Sequence, residues 1–220
     1  MTIAVTYIDH MGSDLSVVNA ARVSFGKQSF WVAGDGPDRL KERDTKLIYY
    51  LAKHNHISPF GHAFASFHVK APVFVARQLV KHKFLRWNEI SRRYVSDDPE
   101  FYTPAAWRSQ SDDKKQGSGE NMANQSGPNA VQAYANRVAF DSYKAMLDRG
   151  VCEEQARILL PQSTMTEWIW SGSLDAFASM CNLRCKPDTQ AETRIVADQI
   201  CDKMGELFPV SWLALMDDKL

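Results

Sequence analysis

The sequence lacks the features that mark membrane-embedded, disordered or secreted chains. No apolar run approaches the ~20 residues that a bilayer-spanning helix needs, and the 220 residues include only 11 Gly and 9 Pro. The first ten residues show neither the basic segment nor the small-residue cleavage site of a secretion signal. The 26 Lys and Arg balance 26 Asp and Glu, which argues against a chain-wide basic surface for nucleic acid or anionic lipid. We therefore expect a cytoplasmic globular protein without a membrane or nucleic-acid partner.

Cysteine is also scarce, and no metal or glycine-rich nucleotide motif is present. The four cysteines are Cys152, Cys181, Cys185 and Cys201, and no two of them form a Cys-x-x-Cys pair. We expect four reduced, mostly buried thiols, with Cys181 and Cys185 on one face if their segment is helical. The six histidines match no zinc motif, so we expect no metal site. Neither G-x-G-x-x-G nor the P-loop motif occurs, which excludes those two ways of holding a nucleotide cofactor.

Strand and helix patterns follow one another in an irregular order. Alternating residues predict strands over 1–9, 62–69 and 164–170. Helical patterns cover 14–25, 37–55, 72–83, 130–149, 153–160, 173–181 and 187–208. This order predicts an α+β fold, with helices packed on a mainly antiparallel sheet in a single catalytic domain over 1–220. The polar stretch at about 108–129 is predicted to be a long loop, which is typical of a lid or of disorder.

The segment from Arg77 to Tyr94 is the most basic part of the chain. It holds six Lys or Arg and one Glu, a net charge of +5. Three interpretations are open. It is a solvated basic surface, a stripe that binds single-stranded nucleic acid through Phe84, Trp87 and Tyr94, or a pocket whose cations bind phosphorylated small molecules.

The order of short motifs resembles a known family, the flavin-dependent thymidylate synthases. Lys81-His82-Lys83, seven residues and then Ser91 are similar to the family's Arg-His-Arg-x7-Ser signature, with Lys at both Arg positions. Further segments resemble family motifs in the family's order: 21–25, 56–62, 67–72, 76–78, 88–94, 156–161 and 183–192. One such motif alone is a weak signal, but this many in order over most of the chain are specific.

The resemblance implies an enzyme that converts dUMP to dTMP. In that family methylenetetrahydrofolate supplies the carbon, and FAD reduced by NADPH supplies the hydride. The family also implies a homo-oligomer, a homotetramer whose active sites combine residues of more than one subunit. A flavin route needs no cysteine nucleophile, and none of the four cysteines here has the context of one.

Residue by residue, the resemblance implies three catalytic groups. Arg184 would lie against the pyrimidine, where a fixed cation stabilises developing negative charge. His82 would lie near the isoalloxazine or the folate ring stacked on it, and Ser91 would donate a hydrogen bond, since no base is positioned for it by sequence. The implied dUMP-binding residues are Gln78, Lys81, Glu89, Ser91, Arg93, Arg157 and Arg184. The implied FAD-binding residues are Ser24, Ser58, Lys81, His82, Lys83 and Glu89.

Some positions depart from the family pattern and keep two alternatives open. Gly61 stands where the family has Glu, and residues 173–175 and 179 differ from the family's flavin-binding helix. Residues 115–118 resemble a segment of members with a long loop, so this loop is expected to form a lid over the folate side. Glu154 is expected to orient Arg157 through an intrahelical ion pair. The alternatives are the nucleic-acid-binding module described above and a catalytically inactive relative.

Overall fold

A four-stranded antiparallel sheet organises the chain. A computed structural model describes residues 2–32, 39–95, 97–111 and 117–216. The strands are β1 (Ala4–Met11), β2 (Phe64–Pro72), β3 (Arg86–Glu89) and β4 (Met165–Ser173). Their order in the sheet is β1-β2-β4-β3, and every neighbouring pair is antiparallel. The α+β fold with a mainly antiparallel sheet, predicted from the irregular order of patterns, is confirmed.

Eight α-helices are described around this sheet. They are α1 (Asp14–Arg22), α2 (Glu42–Lys53), α3 (Val73–Leu79), α4 (Ser126–Asp148), α5 (Glu153–Ala156), α6 (Leu174–Arg184), α7 (Ala191–Leu207) and α8 (Pro209–Met216). Gly150 ends the α4 region with a φ of +81°, a conformation that glycine adopts without strain. Among the described helices, none combines the length and the apolar character that a membrane crossing requires.

The core lies between one face of the sheet and the helices packed on it. Alternation along β2 buries Ala65, Phe67 and Val69, as the sequence pattern predicts for a strand with one covered face. Phe67 packs edge-on against Phe177 of α6, with ring centroids 5.3 Å apart. Trp168 on β4 is also fully buried. β2 and β4 therefore form the buried centre of the sheet. The segments that follow α3 and β3 extend from this scaffold.

A buried carboxylate joins the two ends of the chain. Asp14, at the first position of α1, is only 4% exposed. Its two oxygens accept hydrogen bonds from the backbone N–H groups of Val210 and Ser211, at 3.0 and 2.8 Å. These donors belong to the first turn of α8, where helical N–H groups have no partner within the helix. Asp14 thus caps α8 and holds it against α1.

Several predicted boundaries are wrong, for physical reasons. The helix predicted over 72–83 ends at Leu79, and Val80, placed on its apolar side, is 48% exposed. The helix predicted from residue 130 begins at Ser126, since Pro128 is tolerated in a first turn, so the polar loop is shorter than 108–129. The final helical pattern, 187–208, corresponds to α7, whereas α8 and β3 were not predicted. Cys152 is exposed, although it was expected to be buried.

Candidate active site

Most of the predicted site residues line one of two clefts, which share no lining residue among those described. The first, which we call the His82 cleft, encloses about 780 Å³ between the turn after α3 and the helix α6. The second, the Ser91 cleft, encloses about 530 Å³ between the chain that follows β3 and the segment after α5. The linings include Lys81, His82, Lys83, Asp175 and Arg184 in the first cleft, and Glu89, Ser91, Arg92, Arg93, Arg157 and Thr166 in the second.

His82 and Arg184 are in direct contact in the His82 cleft. Because α3 ends at Leu79, His82 falls in the following turn, opposite Arg184 at the end of α6. The Nε of Arg184 donates to His82 Nε2 at 3.0 Å, and a terminal guanidinium nitrogen lies 3.5 Å from the carbonyl oxygen of Gln78. Burial and the charge of Arg184 lower the pKa of His82 from 6.5 to about 4. The imidazole is therefore neutral at pH 7, with its proton on Nδ1 because Nε2 accepts.

A smaller cavity of about 490 Å³ adjoins the His82 cleft and shares Lys81 and Arg184 with it. Gln78 lies on its wall, and its side-chain amide hydrogen-bonds the amide oxygen of Gln190. Gly117, from the described end of the polar loop, also lines this cavity. The loop thus reaches the site at residue 117, while residues 115 and 116 of the expected lid segment lie outside the described residues.

Two residues of the His82 cleft have a backbone conformation that side chains rarely adopt. Asn55 and Phe84 have φ angles of +54° and +67°, and they are the only non-glycine residues with positive φ in the described parts of the chain. Both line this cleft. Such strain is concentrated at functional sites in proteins. Phe84 is 80% exposed, so its ring is free to contact a ligand in the cleft.

Asp175 supplies an unused acceptor to the His82 cleft. Its Oδ1 atom is buried and has no hydrogen-bond partner among the described residues. A Cβ added at Gly61 would lie 4.0 Å from this oxygen, with nothing described any nearer. A buried acceptor without a partner is costly unless a ligand or water satisfies it. Gly61, which stands where the family has Glu, therefore lies opposite the carboxylate of Asp175.

Glu89 is held by neighbours in the Ser91 cleft. It ends β3, which pairs with β4 so that Glu89 lies opposite Trp168. One of its oxygens accepts from Thr166 Oγ1 at 2.6 Å and the other from Trp87 Nε1 at 3.1 Å. Each carboxylate oxygen thus accepts one hydrogen bond, and Glu89 makes no salt bridge to an arginine among the described residues.

Three arginines of the Ser91 cleft have no salt bridge to another described residue. Arg93 donates through Nε to Ser91 Oγ at 3.3 Å and lies 5.0 Å from the ring centroid of Tyr94. Arg92 donates to the backbone oxygen of Asp97. Within the described residues, Arg157 contacts Glu154 through its backbone oxygen at 3.2 Å and not through the expected ion pair. Their charges remain available to an anion.

Ser91 has no hydrogen bond to a histidine, lysine or carboxylate among the described residues. Its hydroxyl accepts from the backbone and side chain of Arg93, at 3.3 Å in each case. His82 lines the other cleft and is engaged with Arg184. The geometry is that of a hydrogen-bonding hydroxyl, as the sequence predicts, and does not provide an activated nucleophile.

Two predicted flavin ligands lie outside both clefts. Ser24 is exposed in the 3₁₀ turn Val23–Phe25, and Ser58 is exposed at the start of the 3₁₀ segment Ser58–His62. Neither lines the two clefts described above. Lys81 and Lys83 do line the His82 cleft, and both are exposed.

Sequence reasoning missed other residues of the site. Asn55 directly precedes the 56–62 motif, and Phe84 directly follows Lys81-His82-Lys83, so nearness to a motif was the available signal. Thr166 carried no such signal, because its contact with Glu89 depends on the pairing of β3 with β4. Gln190 lay within a recognised segment, but its partner Gln78 is 112 positions away.

The chain is similar to known proteins in both sequence and structure. Residues 6–210 match a family model described as thymidylate synthase complementing protein. The chain is 38% identical to a flavin-dependent thymidylate synthase of Thermus thermophilus, over 98% of this chain and 76% of the relative. It is 35% identical to one of Kosmotoga olearia, over 96% of this chain and 88% of the relative. A crystal structure of the UMP/dUMP methylase PolB from Streptomyces cacaoi with 5-Br dUMP superposes with a TM-score of 0.85, at 32% identity, covering 98% of this chain and 95% of that one.

Proposed function

This chain belongs to the flavin-dependent thymidylate synthase family of methyltransferases, and we propose that it converts dUMP to dTMP. In this proposal methylenetetrahydrofolate is the carbon donor, and FAD reduced by NADPH is the hydride source. The observation that carries it is the pairing of two clefts with complementary chemistry. One offers unpaired cations for a phosphate, and the other offers a half-buried cation next to a neutral imidazole.

The Ser91 cleft fits the phosphate and sugar of a nucleotide. Guanidinium groups bind phosphate oxygens with two parallel hydrogen bonds, and neither Arg93 nor Arg157 makes a salt bridge to a described carboxylate. Ser91 adds a hydroxyl beside Arg93. We propose that these three residues bind the phosphate end of dUMP, while Glu89 keeps the wall of the cleft in place through Thr166.

The His82 cleft fits a flavin. Its volume of about 780 Å³ falls in the range of ligand pockets, ~300–1,000 Å³. Lys81 and Lys83 supply positive charge for a pyrophosphate, and the unpartnered Asp175 oxygen can accept from an N–H or O–H of the ligand. Reduced FAD, when bound, supplies the hydride for the reaction. These residues fit the cofactor, whereas Ser24 lies outside the cleft and is not part of the proposal.

Arg184 and His82 form the proposed catalytic pair of this chain. Arg184 keeps a full positive charge within reach of the cleft, and the contact with His82 fixes the direction of its guanidinium. We propose that this cation stabilises the negative charge that develops on the pyrimidine, as the donors of an oxyanion hole do. His82, held neutral by burial and by Arg184, donates from Nδ1 and adds no second charge.

The division of residues between two clefts supports a shared site between subunits. One dUMP must meet both Arg184 and the Ser91 group, yet these lie in clefts without a common residue among those described. We propose a homotetramer in which each substrate is bound by residues of more than one copy. The exposed apolar stripe of α4 supports this, since Val131, Tyr134 and Val138 are 71%, 72% and 45% exposed. A monomer in light scattering, with flavin and dUMP bound, would contradict the shared site.

Tritium release from 5-³H-dUMP tests the activity. We expect release that requires NADPH, FAD and methylenetetrahydrofolate together. The matched control is Lys46→Ala, which removes an exposed lysine on α2 and leaves both clefts intact. A flavin-loaded protein that releases no tritium would favour the inactive relative. A protein that binds no flavin but binds single-stranded oligonucleotides would favour the binding module.

A further inference from the structure

Three cysteine thiols converge between α6 and α7, away from any role proposed above. Cys181 and Cys185 are four residues apart at the end of α6, and Cys201 lies on α7. The three Sγ atoms all lie within 4.8 Å of one another, and the described cysteines are free. Cys181 is buried and the other two are half-buried. The cluster was not predicted because Cys201 comes from a separate helix.

The spacing of the thiols is close to that of a metal site. Sulfur atoms about 2.3 Å from a tetrahedral zinc ion stand about 3.8 Å apart. The thiols here need to close by at most about 1 Å to reach that spacing. A disulfide between any two would require a much shorter separation, about 2.05 Å. The arrangement of the three thiols therefore suits one shared metal ion better than a disulfide between any two of them.

A carboxylate lies beside the three thiols. Asp198 precedes Cys201 by three residues on α7, so the two project from one face of that helix. The mutually close ligand atoms are those of the three cysteines alone, so Asp198 is a neighbour of the cluster and not one of its ligands. Asp198 is exposed, so it lies on the solvent side, while Cys181 closes the buried side. Three thiolates with an open approach from solvent leave a fourth position for water, as in zinc sites with three protein ligands.

We propose that Cys181, Cys185 and Cys201 form a site for one zinc ion that joins α6 to α7, with water in the fourth position and Asp198 as an outer partner on the solvent side. On binding, the three thiols lose their protons to solvent and no oxidation occurs. The proton that Cys181 now shares with the carbonyl oxygen of Ala197, at 3.6 Å, is one of those released. The ion would stabilise the end of α6, where Arg184 lies between Cys181 and Cys185 in sequence.

Metal titration of the purified 220-residue chain tests this site directly, without any measurement of activity. The protein is stripped of metal under reducing conditions and titrated with Cd²⁺ while the ultraviolet cadmium–thiolate band is followed. Zn²⁺ is measured separately by elemental analysis after equilibrium dialysis. We expect one ion per chain for each metal, a rise in melting temperature with Zn²⁺, and three protons released per ion in weakly buffered solution. Because neither dUMP nor flavin is present, failure here leaves the proposed reaction untouched.

Two variants and one control make the result specific. Cys201→Ser should weaken Zn²⁺ binding by more than the ~10–100-fold that loss of an outer-shell partner costs. Asp198→Asn should weaken it about tenfold, and since Asp198 is exposed this variant should fold even if Cys201→Ser does not. The matched control, Cys152→Ser, removes an exposed thiol outside the cluster and should bind normally. The proposal is overturned by less than half an ion per chain, by equal loss in the control, or by thiol titration that shows a disulfide within the cluster.

Discussion

The two clefts treat their charged groups in opposite ways. In the His82 cleft Arg184 donates a hydrogen bond to His82, and burial together with the charge of Arg184 lowers the pKa of the histidine and keeps it neutral. In the Ser91 cleft the one carboxylate, Glu89, is engaged by Thr166 and Trp87, and the arginines have no acidic partner among the described residues. The guanidinium of Arg184 is therefore held in one orientation in the first cleft, whereas the arginines of the second cleft remain available to bind an anion.

This difference separates two tasks of a single reaction. A preoriented cation that costs no reorganisation acts on charge that appears only in the transition state. Unpaired arginines bind an anion equally well before and during the reaction, which is uniform binding. The comparison therefore predicts that changes in the His82 cleft act mainly on kcat, and changes in the Ser91 cleft mainly on KM for dUMP.

The largest effect is expected from Arg184→Ala. Losing one such charge-stabilising donor typically lowers kcat by ~10²–10³. The loss also removes the hydrogen bond that orients His82. Steady-state tritium release with saturating dUMP measures it, with Lys46→Ala as the surface control. An Arg184→Ala protein that binds flavin normally and keeps its kcat would end the distinction between the clefts.

Arg157→Ala should produce the next largest effect, on binding. A hydrogen bond to a charged group is worth ~1.5–3 kcal/mol, which corresponds to a rise in KM for dUMP of ~10–100-fold. Little change in kcat is expected, because Arg157 is exposed and held only by the Glu154 backbone oxygen among the described residues. Initial rates over a range of dUMP concentrations separate the two constants. A fall in kcat as large as that of Arg184→Ala would mean that both arginines stabilise the transition state and would contradict the distinction between the clefts.

The sequence predicted the Ser91 cleft better than the His82 cleft. Its members come from short segments, 88–94 and 156–161, whose motifs are visible in sequence. The contact between His82 and Arg184 joins residues 102 positions apart and depends on α3 ending early, which the apolar pattern through Val80 obscured. The four-residue β3 was too short for a periodic signal, and its pairing with β4 decides what Glu89 contacts. Local patterns thus identify the residues, while their partners depend on tertiary packing.

Ser91→Ala should lower activity by only about tenfold, the effect of a lost hydrogen bond of ~1–1.5 kcal/mol. Among the described residues its hydroxyl has no hydrogen bond to a histidine, lysine or carboxylate that would activate it as a nucleophile, so we expect no covalent role. The measurement is kcat/KM for dUMP in a variant shown to bind flavin. Complete inactivity beside an active Arg184→Ala would reverse the two assignments.

The pKa of His82 gives a test of the same cleft by NMR. The imidazole should titrate near pH 4 and not near 6.5, because burial and then Arg184 disfavour its charged form. In Arg184→Gln the pKa should rise but remain below 6.5, since burial is the larger cause. In the parent protein His82 therefore binds fewer protons in the folded state than in the unfolded state between pH 4 and pH 6.5. Its contribution to the free energy of unfolding is fully present above pH 6.5 and is lost as the pH falls toward 4. A pKa of 6.5 in the parent protein would contradict the contact.

The smallest effect is expected from the double change Lys81→Arg and Lys83→Arg. The lysines of the His82 cleft carry the positive charge of the family's two arginines but lack the planar guanidinium that forms paired hydrogen bonds. If charge is the main requirement, turnover should be preserved and FAD should bind more tightly, by up to ~1–2 kcal/mol for one regained contact. Both lysines are exposed, so the longer side chains have room.

The measurement that decides this is titration of the flavin-free protein with FAD, followed by flavin fluorescence. Lys46→Arg, a matched exchange on the exposed face of α2, should leave the affinity unchanged. Weaker FAD binding in the double variant would mean that the cleft is adapted to lysine. The His82 cleft would then differ from the Ser91 cleft in a second way, because its charges would be fitted to one shape as well as to one direction.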